Sequence, residues 1–437
     1  MAPYIEPKIL KGFRDFLPSA EITRRNLVEK IETSFRSFGF VPIDTPALEY
    51  AEILLGKGGG ETEKQIYRFT DNGGRDVALR FDLTVPFARF IALHQGEITL
   101  PFKRYHIAKV WRGENTQRGR YREFTQCDVD IVGSAGPASD FEILLLMRNT
   151  LLSLGAEVKI RINHRGLFNR FLAQGGIPEK SVEILRAVDK LAKVGREETA
   201  RSLAELAGPE TAEKILEFIA AGEDFEETLE RMIRLSGGES PESERLRILR
   251  RYMIDTETAG SFFLDPSITR GLDYYTGVVF ETFLTGLPEI GSVCSGGRYD
   301  NLAGLYSKEQ VTGVGTSIGL DRLIAALESL GKSPGAAAYA RIAVACIKEE
   351  RGGLYQGLAE KIRAAGIPCE VFLEEAGAGG KQPVKQFMVA EKKGIKWLVI
   401  PGENFPEGPL TLRDLGARQN REGLSVEEII ALVREGP

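Results

Sequence analysis

Four arginines stand within fourteen residues in the stretch WRGENTQRGRYREF, from Trp111 to Phe124. A guanidinium is planar, permanently charged and able to grip two oxygens of a phosphate or carboxylate at once. Arg112, between Trp111 and Gly113, suits one oxyanion held in a cleft. Arg118, Arg120 and Arg122 alternate, as on one face of a strand, where they can hold further anions or simply meet water. A second polar cluster, RGLDYYTGVVFE from Arg270 to Glu281, sets an Arg, an Asp and two adjacent Tyr beside glycines. That composition suits a polar pocket with aromatic walls, and equally a strand with a tight turn. In CSGGRYDNL, adjacent Gly296 and Gly297 allow a close backbone approach to a ligand or mark a turn. GVGTSIGLDRL puts Arg322 in the first turn of a helix, where the backbone already attracts anions. Neither a G-x-x-x-x-G-K-[ST] loop nor a dinucleotide fingerprint occurs, so any bound nucleotide is expected to be held by arginines.

These residues need elements to carry them. Leu27, Val28, Ile31, Phe35 and Phe38 repeat at helical spacing and predict a helix from Ser19 to about Phe38, stopped by Gly39. FGFVPIDTPALE is extended and broken by two prolines. RDVALRFDLTVPFARFIAL reads as a strand running into a helix with Pro86 near its start. FKRYHIAKVWRGE and RYREFTQCDVDIVG form a long hairpin about the turn NTQRG, and AEVKIRIN alternates as a further strand. From about 166 to 255 strand signals give way to Ala, Leu, Glu, Lys and Arg at helical spacing, a helical insertion. Strand signals return at GSFFLDPSITRGLDYYTGVVFETFL; SVCSGGRYDNLAGLY reads as a glycine-rich loop, and GVGTSIGLDRLIAALESL as a strand followed by a helix. After the linker-like GKSPGAAAYA, the strands RIAVACI, PCEVFL and KWLVIPG alternate with helical stretches, the rhythm of a small α/β domain.

Composition narrows the classes. The chain has 437 residues, 43% hydrophobic and 27% charged, an ordinary globular profile with a net charge of −5. Polyanion binding would then rest on local basic patches. Four cysteines without a C-x-x-C pair, with only three histidines, argue against zinc. No apolar run reaches the roughly 18 residues of a membrane span, and the first residues lack an apolar signal core, so the expected compartment is the cytoplasm.

Taken together, the motifs resemble a known family. WRGENTQRGRYREFTQCDVDIVG resembles motif 2 of class II aminoacyl-tRNA synthetases in its histidyl form. ITRGLDYYTGVVFE looks like the histidine-specific signature of histidyl-tRNA synthetases, GVGTSIGLDRL is similar to their motif 3 and FGFVPIDTPALE to motif 1. LRFDLTVPFARF is closer to the branch typical of eukaryotes and archaea than to the Pro-Glu-Gly-Thr version of many bacterial members. The resemblance implies an α+β fold: a class II antiparallel sheet flanked by helices, with a helical insertion and a C-terminal α/β anticodon-binding domain. Expected boundaries are 1–325 for the catalytic core, 166–255 for the insertion within it, 326–340 for a linker and 341–437 for the anticodon-binding domain.

The implied reaction joins L-histidine to ATP as histidyl-adenylate, with Mg²⁺ beside the pyrophosphate, and then moves histidine to the 3′ end of its tRNA. By the same resemblance Arg112 and Arg270 flank the α-phosphate as catalytic residues, with Arg112 also on the substrate carboxylate. Arg322 holds the γ-phosphate, Phe124 stacks on adenine and Glu114 can assist the metal, for which no confident protein ligand is assigned. Asp82, Leu83 and Thr84 serve the α-ammonium, Gln126 the carboxylate, and Asp130 the ring N–H between Tyr274 and Tyr275. Gln117, Arg118 and Arg122 face the tRNA acceptor end. A homodimer is expected. The C-terminal stretches KQPVKQFMVAEKKG and LTLRDLGARQ depart from the family pattern, so no anticodon contact is assigned there. The alternative is the non-catalytic regulatory paralogue of ATP phosphoribosyltransferase, which usually lacks the anticodon domain and has decayed motifs.

Overall fold

In the computed structural model the described residues are 4–56, 62–269, 275–300, 304, 306, 311–332, 338–375 and 383–435. The chain divides into two compact units, 1–14 with 27–333 and 15–26 with 334–437.

The first unit is organised by an eight-stranded sheet. Its strands are β1 (Val41–Pro42), β2 (Phe102–Trp111), β3 (Glu123–Val132), β4 (Val158–His164), β5 (Phe262–Leu264), β6 (Val278–Leu284), β7 (Cys294–Tyr299) and β8 (Gly313–Gly319). Their spatial order is β1-β2-β3-β8-β7-β6-β4-β5. The six inner strands pair antiparallel, while β1 lies parallel to β2 and β5 parallel to β4. A separate three-stranded sheet of Leu48–Tyr50, Arg68–Thr70 and Asp76–Leu79 leads into the helix Thr84–Leu93. The architecture is α+β, a largely antiparallel sheet flanked by helices, as the sequence implies.

Strand alternation decides what each face of β3 meets. Cys127, Val129 and Ile131 enter a core with Ile143, Leu144 and Met147 of the helix Pro137–Ser153. Leu27, Ile31 and Phe35 of the helix Pro18–Ser37 join the same core at the spacing read from the sequence. Between β4 and β5 the chain is helical, from Arg165–Gln174 to Pro241–Asp255. Here Phe171 stacks on Phe218 at 4.6 Å, Asp224 caps Phe225–Leu235, and Ser240 and Ser243 form a reciprocal cap on Pro241–Asp255.

Two local expectations are corrected. Cys294–Tyr299 is not a loop but strand β7, in the middle of the sheet. A Cβ at Gly296 would lie 2.1 Å from the Gly315 carbonyl oxygen, and one at Gly297 2.7 Å from the Tyr275 ring. The glycines serve close packing of protein on protein. Arg118, Arg120 and Arg122 do not share a strand face either, because β3 begins only at Glu123. Gly119 has φ +72° within a tight Gln117–Arg120 turn, which breaks the alternation before the strand starts.

The second unit holds a five-stranded sheet in the order Cys369–Val371, Ile342–Val344, Trp397–Pro401, Leu410–Asp414, Gln419–Leu424. The first three strands run parallel and the last two pair antiparallel. Helices Gly352–Ala364 and Val426–Glu435 cover it through Leu358, Ile362, Ile429 and Val433, packed on Val344, Val399 and Leu412.

A buried ionic knot ties the helical region to the sheet. Asp140 is fully buried and accepts from Arg298 of β7, Nε at 2.8 Å and Nη2 at 2.6 Å, and from Arg245 Nε of Pro241–Asp255 at 2.6 Å. Removing the shared anion leaves two desolvated guanidiniums facing each other. Asp140→Ala is expected to destabilise the first unit by about 3–5 kcal/mol, read by denaturant unfolding. A cost below about 1 kcal/mol would mean the knot is solvated.

Candidate active site

The outward alternates of β3 begin the site. Gln126, Asp128 and Asp130 line a cleft of about 620 Å³ on the opposite sheet face from Cys127, Val129 and Ile131. Residues from other elements complete its wall. Asp82 and Thr84 come from the start of the helix Thr84–Leu93, Arg112 and Glu114 from the end of β2 and beyond, and Tyr275 from the approach to β6. Arg322 comes from the first turn of Leu320–Ser329. Phe124 also lies on the wall.

Each side chain is held from behind. Arg112 donates Nε–H to the Phe81 carbonyl at 2.8 Å, and its guanidinium carbon lies 5.2 Å from the Phe124 ring centre. Arg322 donates to the Ser292 carbonyl at 2.7 Å, and burial pulls its guanidinium pKa down, with Arg120 adding repulsion. Its neighbour Asp321 is paired with Arg14 and accepts from the Thr125 amide at 2.8 Å, fixing the helix start against β3. Asp82 accepts from the Val85 amide at 3.0 Å, and burial raises its carboxyl pKa. Gln126 donates to Ser317 Oγ at 2.7 Å, while its buried Oε1 has no hydrogen-bond partner among the described residues. An unpaired buried acceptor facing a cleft is a group waiting for a donor.

Asp130 is nearly fully buried. The Tyr299 hydroxyl donates to its Oδ1 at 2.5 Å, and Arg104 Nη2 lies 2.6 Å from its Oδ2. Burial pushes its carboxyl pKa up, and Arg104 opposes that rise. A Cβ at Gly315 would fall 1.9 Å from Asp130 Oδ1, so only glycine leaves room for the carboxylate. Asp128, on the same face, is pushed up to about 7 by burial, with Arg104 pulling the other way and Asp130 adding to the rise.

The cleft therefore brings together Asp82, Thr84, Arg112, Glu114, Phe124, Gln126, Asp130, Tyr275 and Arg322 from separate stretches of the sequence. Leu83 is fully buried and is not part of the wall, because the helix start turns its side chain into the core. Gln117, Arg118 and Arg122 stand off the wall: Arg118 reaches Ser329 Oγ at 3.0 Å and Arg122 the Glu114 carbonyl at 3.2 Å. Arg120 and Tyr121 line the cleft instead, since the turn at Gly119 reverses the chain. Arg270 and Tyr274 lie outside the described residues. Among the described residues no cluster of His, Cys, Asp or Glu suits a metal. Sequence reasoning passed over Arg104, Asp128 and Tyr299. The first two had a legible signal: Asp128 shares the period of Asp130, and Arg104 is its register partner across the hairpin.

A family model described as histidyl-tRNA synthetase matches residues 12–323. The chain belongs to the histidyl-tRNA synthetase family. A second model, an anticodon binding domain, matches residues 341–436. The chain is similar to histidine–tRNA ligase of Treponema denticola, 54% identical over 91% of this chain and 89% of that protein. That of Treponema pallidum is 50% identical over 95% of each. Its fold matches the crystal structure of histidyl-tRNA synthetase from Nostoc with a TM-score of 0.84, at 30% identity over 99% of both chains. Membership in the histidyl-tRNA synthetase family supplies a reason for the cleft's mixture of arginines, an aromatic ring and buried acids.

Burial of Asp128 has a consequence for stability. Its carboxyl titrates near 7 when folded and near 3.9 when unfolded, so the folded state holds an extra proton between those values. The stability this contributes is fully present below about pH 4 and is lost as pH rises through about 7. Asp128→Asn is therefore expected to melt above the parent at pH 8 and to show a clearly smaller advantage at pH 5. An equal melting-temperature difference at both pH values would rule out the buried carboxyl as its source.

Proposed function

We propose that this cleft activates L-histidine with ATP and then passes the histidyl group to the 3′ end of the matching tRNA. The observation that carries the reading is one cavity shared by Arg112, Arg322 and Phe124, suited to a nucleotide, and by Asp82, Gln126 and Asp130, suited to an amino acid.

The substrate carboxylate attacks the α-phosphorus, a C(O)–O–P bond forms and the bond to the pyrophosphate oxygen breaks. Negative charge grows on the α-phosphoryl oxygens, and preorganised cations favour that state. Arg112 takes one side of this phosphate and Arg270 the other, and Arg322 takes the γ-phosphate. Phe124 stacks on adenine. Glu114, on the cleft wall, would help hold Mg²⁺, which would offset the charge of the ATP phosphates. Asp82 and Thr84 meet the α-ammonium, whose positive charge offsets the cost of a buried Asp82 anion. Leu83 contributes only by setting the backbone between them. Gln126 meets the carboxylate through the Nε2–H that makes only a 3.4 Å contact with Asp128, since its Oε1 can only accept. Asp130 accepts the ring N–H between Tyr274 and Tyr275, so analogues without that N–H leave a buried acceptor unpaired. In the second step a ribose hydroxyl of the tRNA attacks the histidyl carbonyl and AMP leaves. Gln117, Arg118 and Arg122 serve the acceptor end, and the 341–437 unit reads the anticodon. A cytoplasmic homodimer is the working form we assign.

The regulatory-paralogue reading finds no support: Arg112 and Arg322 are intact and an anticodon binding domain matches 341–436. The deciding experiment is histidine-dependent ATP–pyrophosphate exchange followed by tRNA charging. Both activities are expected; exchange without charging would overturn the transfer step, and the absence of both would end the reading. Arg322→Ala is expected to raise KM for ATP by about 10- to 100-fold, the loss of a charged hydrogen bond. An unchanged KM would remove Arg322 from the triphosphate.

A further inference from the structure

Among the described residues Arg104 is the largest completely buried side chain. Its guanidinium lies over the Phe87 ring at 4.0 Å, and its ion-pair partner among the described residues is Asp130, Nη2 to Oδ2 at 2.6 Å. None of its three guanidinium nitrogens makes a hydrogen bond of good geometry among the described residues, so the tie to Asp130 is a close ion pair. A buried cation so sparsely paired is a poor stabilising device, since an apolar side chain of similar volume does as well or better. Its charge is what an apolar replacement would lack.

That charge faces two acids. Asp128 and Asp130 project from the same face of β3, Arg104 faces Asp130 from β2, and Tyr299 approaches from β7. Asp82 lies at the start of Thr84–Leu93, Arg112 follows β2, and His106 stands two residues from Arg104 with Asp44 at 3.0 Å. From β8 come Gly315 and Ser317, which carry no charge, and Tyr275 closes the wall. One cation among two neighbouring acids leaves one proton to be carried. Geometry gives the ionised form to Asp130, which has the 2.6 Å cation and the 2.5 Å phenol, and the proton to Asp128, which meets only the neutral Ser317 hydroxyl and a 3.4 Å amide contact from Gln126.

We propose that Arg104 is a specificity-determining positioning residue: its buried guanidinium keeps Asp130 ionised and oriented as the acceptor of the substrate's ring N–H. This rests on the reading of the cleft as a histidine site. Arg104 touches Asp130 from the core side and acts on substrate only through it. In a neutral variant the second proton goes to Asp130, and the acceptor is lost until the pH is high enough to remove it.

The test is exchange kinetics on the full chain across pH 6 to 9 with Arg104→Met, Arg104→Gln and Arg104→Lys. Both neutral variants are expected to raise KM for histidine about 10- to 100-fold at pH 7 with kcat changed less than about threefold. Their KM should recover toward the parent as pH rises, with the midpoint moved at least one unit above the parent's. Arg104→Lys, which restores charge without the fork, should return the midpoint to that of the parent. Arg104→Gln keeps a polar group and carries the same prediction should the methionine variant not fold. Neutral variants whose pH midpoint matches the parent's, or a lysine variant that shifts as far as they do, overturn the proposal. A parent without histidine-dependent exchange would instead overturn the reading of the cleft itself.

Discussion

The period of one strand governs this site. Along β3 every second residue enters the core as Cys127, Val129 and Ile131, and the intervening Gln126, Asp128 and Asp130 enter the cleft. A slip of one position would drive two carboxyls into Leu144 and Met147 and turn the apolar set toward the cleft. Ten consecutive pairs with β2 and seven with β8 hold the register. The apolar face thereby fixes the placement of the polar one, and these cleft-lining groups need no loop to carry them.

Electrostatics completes what register begins. The cleft holds its acids on β3 and its cations at the edges, Arg112 beyond β2 and Arg322 in a helix start. Burial raises the cost of every charge in between. It pushes Asp82, Asp128 and Asp130 up and pulls Arg322 down, so each group gains from a partner of opposite sign. A zwitterionic amino acid beside a polyphosphate supplies such partners. Glycines at 296, 297 and 315 let the strands and the Tyr275 ring close around this array with no methyl group in the way.

Much of this was legible in the sequence. Apolar periodicity gave the long helix, the hairpin and the helical stretch between β4 and β5, because in each the buried face is continuous. Arg112, Phe124, Gln126, Asp130 and Arg322 were legible as a set through the motifs that carry them. What escaped depended on distant neighbours. Gly296 and Gly297 look like a turn until Tyr275 and the Gly315 carbonyl are seen against them. Arg118, Arg120 and Arg122 alternate in sequence, yet the left-handed Gly119 turns only Arg120 to the cleft. Tyr299 meets Asp130 across 169 residues, a contact no local pattern announces.

The helical stretch leaves the sheet after His164 and returns at Phe262, and the strands it joins, β4 and β5, lie side by side at one border of the sheet. Both joints are far along the strand order from the hairpin that bears the acids. The excursion can thus be lengthened, trimmed or exchanged as a cassette while the floor of the cleft keeps its shape. One condition attaches to any transplant: the new segment must supply a cation where Arg245 now meets Asp140.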